Sequence, residues 1–133
     1  MVADMEAGLE HLAWAGGTLA FVDLLLIVAE PTGKSTVTAA RTHTLAAELG
    51  IADVALIANR VAGAEPDAVS DLAAARGLEV LARLPDDAAV RRADQAGASP
   101  LDHAPQAPVT AGLLTLGATV EARLAAGAGA PRP

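Results

Sequence analysis

The chain has 133 residues, a net charge of −7, 53% hydrophobic residues and no cysteine. That length suits one domain with a real core, while the missing cysteines exclude disulfides, thiolate metal sites and a cysteine nucleophile. The acidic surface, with Lys34 as the one lysine and eight arginines, disfavours nucleic acid as a partner, and no run of eighteen apolar residues offers a membrane span.

Met1-Val2-Ala3 reads as the end of a buried strand, with Asp4 where such a strand delivers a carboxylate. Next comes the run Asp4-Met5-Glu6-Ala7-Gly8-Leu9-Glu10-His11-Leu12. Phe21 to Ala29, Asp53 to Asn59 and Leu78 to Leu84 are near-continuous apolar runs, the pattern of parallel strands covered on both faces. Ser35 or Thr36 can cap a first helix that stops at Gly50. Pro66 fits the first turn of a second, closed by Gly77. Asp86 or Asp87 can cap a third, closed by Gly97. Ala98 to Pro108 reads as a loop, and a last helix from Pro108 sets Leu113, Leu116, Val120 and Leu124 on one face. Strand–helix alternation of this kind predicts an α/β fold of three layers, a mostly parallel sheet with helices on both faces. One domain is expected over residues 1–125, with 126–133 as a flexible tail. No secretory leader pattern opens the chain, so the cytoplasm is the default address.

Glu30-Pro31-Thr32-Gly33-Lys34-Ser35-Thr36 invites comparison with a phosphate-binding loop, which needs G-x-x-x-x-G-K-[ST]. Val28 occupies the position of the first glycine. The loop is therefore too short to wrap a phosphate, and a turn leading into a helix is expected instead.

Four pieces together carry a resemblance: Asp4 to Leu12, the strand from Val22 ending in Glu30-Pro31, Ala58-Asn59-Arg60-Val61, and Leu84-Pro85-Asp86-Asp87 with Ala93 to Gly97 beyond. The chain resembles the C-terminal part of MinD/ParA-type P-loop ATPases, above all the CooC branch, the accessory ATPases of carbon monoxide dehydrogenase maturation. The Glu-Ala-Gly-x-Glu-His run is the specific part. The resemblance implies ATP and Mg²⁺ as cofactors, Asp4 as the catalytic switch carboxylate holding a water on Mg²⁺, and Gly8 in close approach to the γ-phosphate. It further implies Asn59 and Arg60 against the adenine, with Pro85 and Asp87 bordering the base. The chemistry suits these roles: an amide donates to and accepts from a purine edge, a guanidinium lies flat on a ring, and glycine lacks the Cβ that would strike a phosphate.

Simpler readings remain open beside these. Asn59 can merely end a strand, and Asp87 can cap a helix, alone or in addition. Glu6, Glu10 and His11 can face a partner or line a polar helix face. His43 and His103 lack metal-ligand spacing and read as surface residues.

The resemblance also implies that the phosphate-binding loop, the first switch segment and several strands precede residue 1. The chain alone is then expected to hydrolyse ATP poorly or not at all, to bind nucleotide without high affinity, and to need help with its exposed apolar edges. A homodimer or a complementary N-terminal half would supply that help, and a nickel enzyme is the implied client. The competing expectation is a non-catalytic interaction module derived from such an ATPase. A membrane-positioning role fits less well, because the last helix lacks a basic amphipathic face.

Overall fold

A computed structural model describes residues 1–5, 22–64 and 66–127. Along these residues run β1 (Leu25–Ala29), α1 (Gly33–Glu48), β2 (Val54–Val61) and α2 (Ala68–Arg76). They are followed by β3 (Glu79–Pro85), α3 (Ala88–Gln95), α4 (Pro100–His103) and α5 (Pro108–Gly127).

The strands form a parallel sheet in the order β1-β2-β3, with Leu25 opposite Val54 and Ala55 opposite Glu79. Successive side chains point to opposite faces, so the apolar runs feed two cores at once. On one face Ile27, Ala29, Leu56 and Ala58 pack against Ala39 of α1 and Val69 and Ala73 of α2. On the other, Ile57 and Leu84 meet Val109, Leu113 and Leu116 of α5. The three expected layers are therefore present. The second face is covered only in part, since Val28 of β1 is 61% exposed.

Helix ends follow capping chemistry, and α1 starts earlier than the sequence pattern predicts. Thr32, not Ser35 or Thr36, caps α1, its hydroxyl accepting the Ser35 N–H at 3.3 Å. Asp67 caps α2 by accepting the Val69 and Ser70 N–H groups at 3.0 and 3.1 Å, which leaves Pro66 one step outside the helix. The segment expected to be a loop contains the short α4, started by Ser99 with Pro100 at its first position. Gly77 closes α2 at φ +63°, in the left-handed region where a Cβ is disfavoured.

Two further expectations are corrected. Met1-Val2-Ala3 is not a strand: Met1 to Met5 lie outside the sheet, and Met1 and Val2 are exposed. A strand needs a neighbour to take its backbone hydrogen bonds, and none of the described strands pairs with these residues. Leu124, expected on the inward face of α5, is 41% exposed. By length and composition α5 could cross a membrane. Here Val109, Leu113 and Leu116 pack on the sheet while Leu114 and Leu124 stay exposed, and Arg123 ties its far end to Asp53 and Glu79.

Candidate functional site

The carboxyl ends of parallel strands are where open α/β sheets place ligands. In this chain that rim holds Glu30 after β1, Asn59 and Arg60 at the end of β2, and Pro85, Asp86 and Asp87 at the end of β3. Ala58 pairs with Arg83 and Val61 with Pro85, so Asn59 and Arg60 stand opposite Leu84 alone. This is a bulge, a device that bends a strand and re-aims its side chains. Arg60 takes φ +55°, the one described non-glycine residue with a positive φ. A side chain there crowds its own backbone, so the surroundings must hold it in place.

They do so with charge. Arg60 Nη1 lies 3.3 Å from Glu30 Oε1, and its Nε lies 3.6 Å from Asp86 Oδ1. Arg91 Nη1 approaches the same Asp86 oxygen at 3.3 Å. Glu30 first, by charge and hydrogen bond, and then Asp86 raise the Arg60 pKa further above its ordinary value. One guanidinium thus links all three strand ends, and the Asp86 N–H donates to the Val61 carbonyl at 3.1 Å beside it.

Asn59 contrasts with these saturated neighbours. It is half-buried, and among the described residues its carboxamide makes no hydrogen bond. A carboxamide held at a strand end with a free donor and a free acceptor can read the edge of a heterocycle. Asp87 is more committed: Oδ1 accepts the Ala89 N–H at 2.8 Å as the cap of α3, and Oδ2 takes the Val109 N–H at 3.5 Å. Its capping role is therefore structural fact. Pro85 ends β3 beside it.

Asp4 is not brought to this rim. Its neighbour Met5 packs against the Ala46 and Ile51 cluster, which Leu25 and Val54 also join at the amino ends of the strands. The length of β1, roughly 16 Å at about 3.3 Å per residue, separates that end from Glu30. Gly8, with Glu6, Glu10 and His11, lies outside the described residues. The Glu30–Thr32 turn is closed by bonds of its own. The Ser35 hydroxyl accepts the Glu30 N–H at 2.9 Å, and the Thr32 N–H donates to the Glu30 carbonyl at 2.8 Å. Among the described residues no three His, Asp or Glu side chains gather to hold a metal ion.

A second cluster, which no sequence motif announces, lies at the opposite end of the sheet. Arg123 binds Asp53 bidentately, Nη2 to Oδ1 at 2.7 Å and Nε to Oδ2 at 3.0 Å, and also donates to Glu79. The hydrogen bond from Arg123 chiefly pulls the Asp53 pKa below its ordinary value, against a smaller rise from burial. The Arg123 pKa is raised in return, first by that same hydrogen bond. Asp67 is similar. Burial pushes it up, but hydrogen bonds from Arg83, Ser70 and Val69, with the Arg83 charge, outweigh that and leave it depressed. The one hint to the Arg123 cluster was a lone arginine within an apolar helix.

No family model matches the chain. It is 43% identical over 105 residues to the carbon monoxide dehydrogenase accessory protein CooC of Rhodospirillum rubrum, covering 79% of this chain and 39% of that protein. It is 41% identical over 98 residues to an uncharacterized ATP-binding protein of Methanocaldococcus jannaschii, covering 73% of this chain and 37% of the relative. Among solved structures, the cell division protein MinD of Aquifex aeolicus matches with a TM-score of 0.67 at 19% identity, over 86% of this chain and 48% of that one. That likeness concerns the fold. The chain spans about two-fifths of the curated relatives it matches. Over that part the chain is similar in sequence to CooC and to the ATP-binding protein, and in fold to MinD.

Proposed function

We propose that this chain carries the base-recognising side of an ATP site in a CooC-type protein that serves the maturation of a nickel enzyme, carbon monoxide dehydrogenase. The observation that carries the reading is the open Asn59 carboxamide on a bulged strand end, next to Pro85 and Asp87. The relatives' names, an accessory protein of that dehydrogenase and an ATP-binding protein, support it.

These residues fit a purine and do not fit its phosphates. Asn59 would pair with the base edge, Arg60 would lie along the ring, and Pro85 with the backbone around Asp87 would border it. In the Glu30–Thr32 turn the Glu30 N–H goes to the Ser35 hydroxyl and the Thr32 N–H to the Glu30 carbonyl, so neither amide is left for a phosphate. Bound ATP would supply the γ-phosphoryl group, and its transfer depends on charge neutralisation that this rim does not provide. Asp4 and Gly8 would act as switch residues toward Mg²⁺ and phosphate only in a larger assembly, formed with a complementary segment or a second copy in the cytoplasm. The chain alone is expected to contact adenine nucleotides weakly and not to turn them over.

The test is an ATP titration of the chain followed by ¹H–¹⁵N NMR, alongside a phosphate-release assay. Shifts centred on Asn59, Arg60 and Asp87 without release are expected. Shifts elsewhere, or none at all, would refute the base site. The second reading, an interaction module without nucleotide, is favoured by one feature: Val28 of β1 and Leu114 of α5 are each 61% exposed. It predicts a folded chain that ignores ATP.

A further inference from the structure

A strained backbone persists only where its surroundings over-determine it. At Arg60 those surroundings are two carboxylates on the two neighbouring strand ends, and they grip the guanidinium from opposite sides. We propose that Glu30 and Asp86 are positioning residues for the rim: by clamping Arg60 they hold the bulge that leaves the Asn59 carboxamide open to a planar ligand. This rests on the base-site reading above and adds two residues to it.

Arg60 and Asn59 are adjacent in the two-for-one bulge, so the backbone turn of one fixes the direction of the other. Without the clamp, Arg60 can leave the left-handed region, and β2 can pair with β3 as a regular ladder to its end. The slip of one residue would send the Asn59 side chain to the other face of the sheet. The competing cation narrows the geometry further. Arg91 shares Asp86, so Asp86 is held from the α3 side while it holds Arg60. Each ion pair is exposed and weak alone, and the pair together act on a single dihedral angle.

The full chain carrying Glu30→Gln and Asp86→Asn tests this by ¹H–¹⁵N NMR, with adenosine as the probe. The clamp predicts that the Asn59 carboxamide and Arg60 amide signals move in the ligand-free double variant while those of α5 stay in place. It also predicts that adenosine shifts Asn59 only at about tenfold higher concentration than in the parent chain. Adding Arg60→Gly, which tolerates the left-handed turn without any clamp, should return the ligand-free Asn59 signals toward their parent positions. Unmoved Asn59 and Arg60 signals in the double variant would overturn the proposal. If the ligand-free signals move and are rescued as described, yet adenosine perturbs no variant, the clamp stands and the base-site reading fails.

Discussion

At the amino ends of β2 and β3, Arg123 meets Asp53 with two well-formed hydrogen bonds and Glu79 with another, from an unstrained helix. At the carboxyl ends of the same strands, Arg60 reaches its two carboxylates at 3.3 and 3.6 Å from a left-handed backbone, and Asn59 beside it has no hydrogen-bond partner among the described residues. The first arrangement satisfies each of its groups and ties α5 to the sheet. The second spends backbone comfort to leave a polar group open. Well-partnered charge at one end and an unspent carboxamide at the other separate a structural clip from a recognition surface on one small sheet.

The core joins both ends, and its loss should erase the distinction. Leu56 is fully buried in β2, so Leu56→Ala should cost about 3 kcal/mol in urea unfolding and disturb NMR signals at both ends together. Arg123→Ala should cost less, about 1 kcal/mol, because water still reaches Arg123 and Asp53 and screens the pair. Its rim signals should not move; displaced Asn59 signals would show that the two ends are coupled.

Acid provides a gentler version of the same cut. The folded-state pKa values of Asp53 and Asp67 are depressed, so each carboxylate contributes stability above the ordinary aspartate value of about 3.9. That stability is lost as pH falls through the lower folded values. The gap in unfolding free energy between the parent chain and Arg123→Ala should therefore shrink as pH falls below the ordinary aspartate value, and a gap that persists would assign it to packing. Asn59→Ala should change stability least, by under about 0.5 kcal/mol, since its side chain makes no hydrogen bond among the described residues.

How much of this was legible in the sequence depended on range. Apolar runs announced the three strands and both faces of the sheet, because burial on two sides leaves no polar alternation. Gly50, Gly77 and Gly97 marked helix stops correctly, each with a positive φ. The caps were displaced where a better acceptor, Thr32 or Asp67, stood a few residues earlier. Asn59, Arg60, Pro85 and Asp87 were read onto one rim, and the strand ends put them there. The bulge was not legible, because the register of β2 against β3 depends on residues far apart in the chain. The same holds for the Asp53–Arg123 pair, seventy residues apart. Asp4 was placed by motif order alone, and its neighbour Met5 follows the hydrophobic pocket at the other end of the sheet.

The central claim is that recognition resides at the bulged rim and stability at the clip, and one paired measurement addresses it. Adenosine titrations and urea midpoints would be recorded for Asn59→Ala and Arg123→Ala side by side. The account predicts that Asn59→Ala loses the adenosine response at the rim with its midpoint unchanged, while Arg123→Ala keeps that response and unfolds earlier. An adenosine response that survives Asn59→Ala at full strength would contradict it.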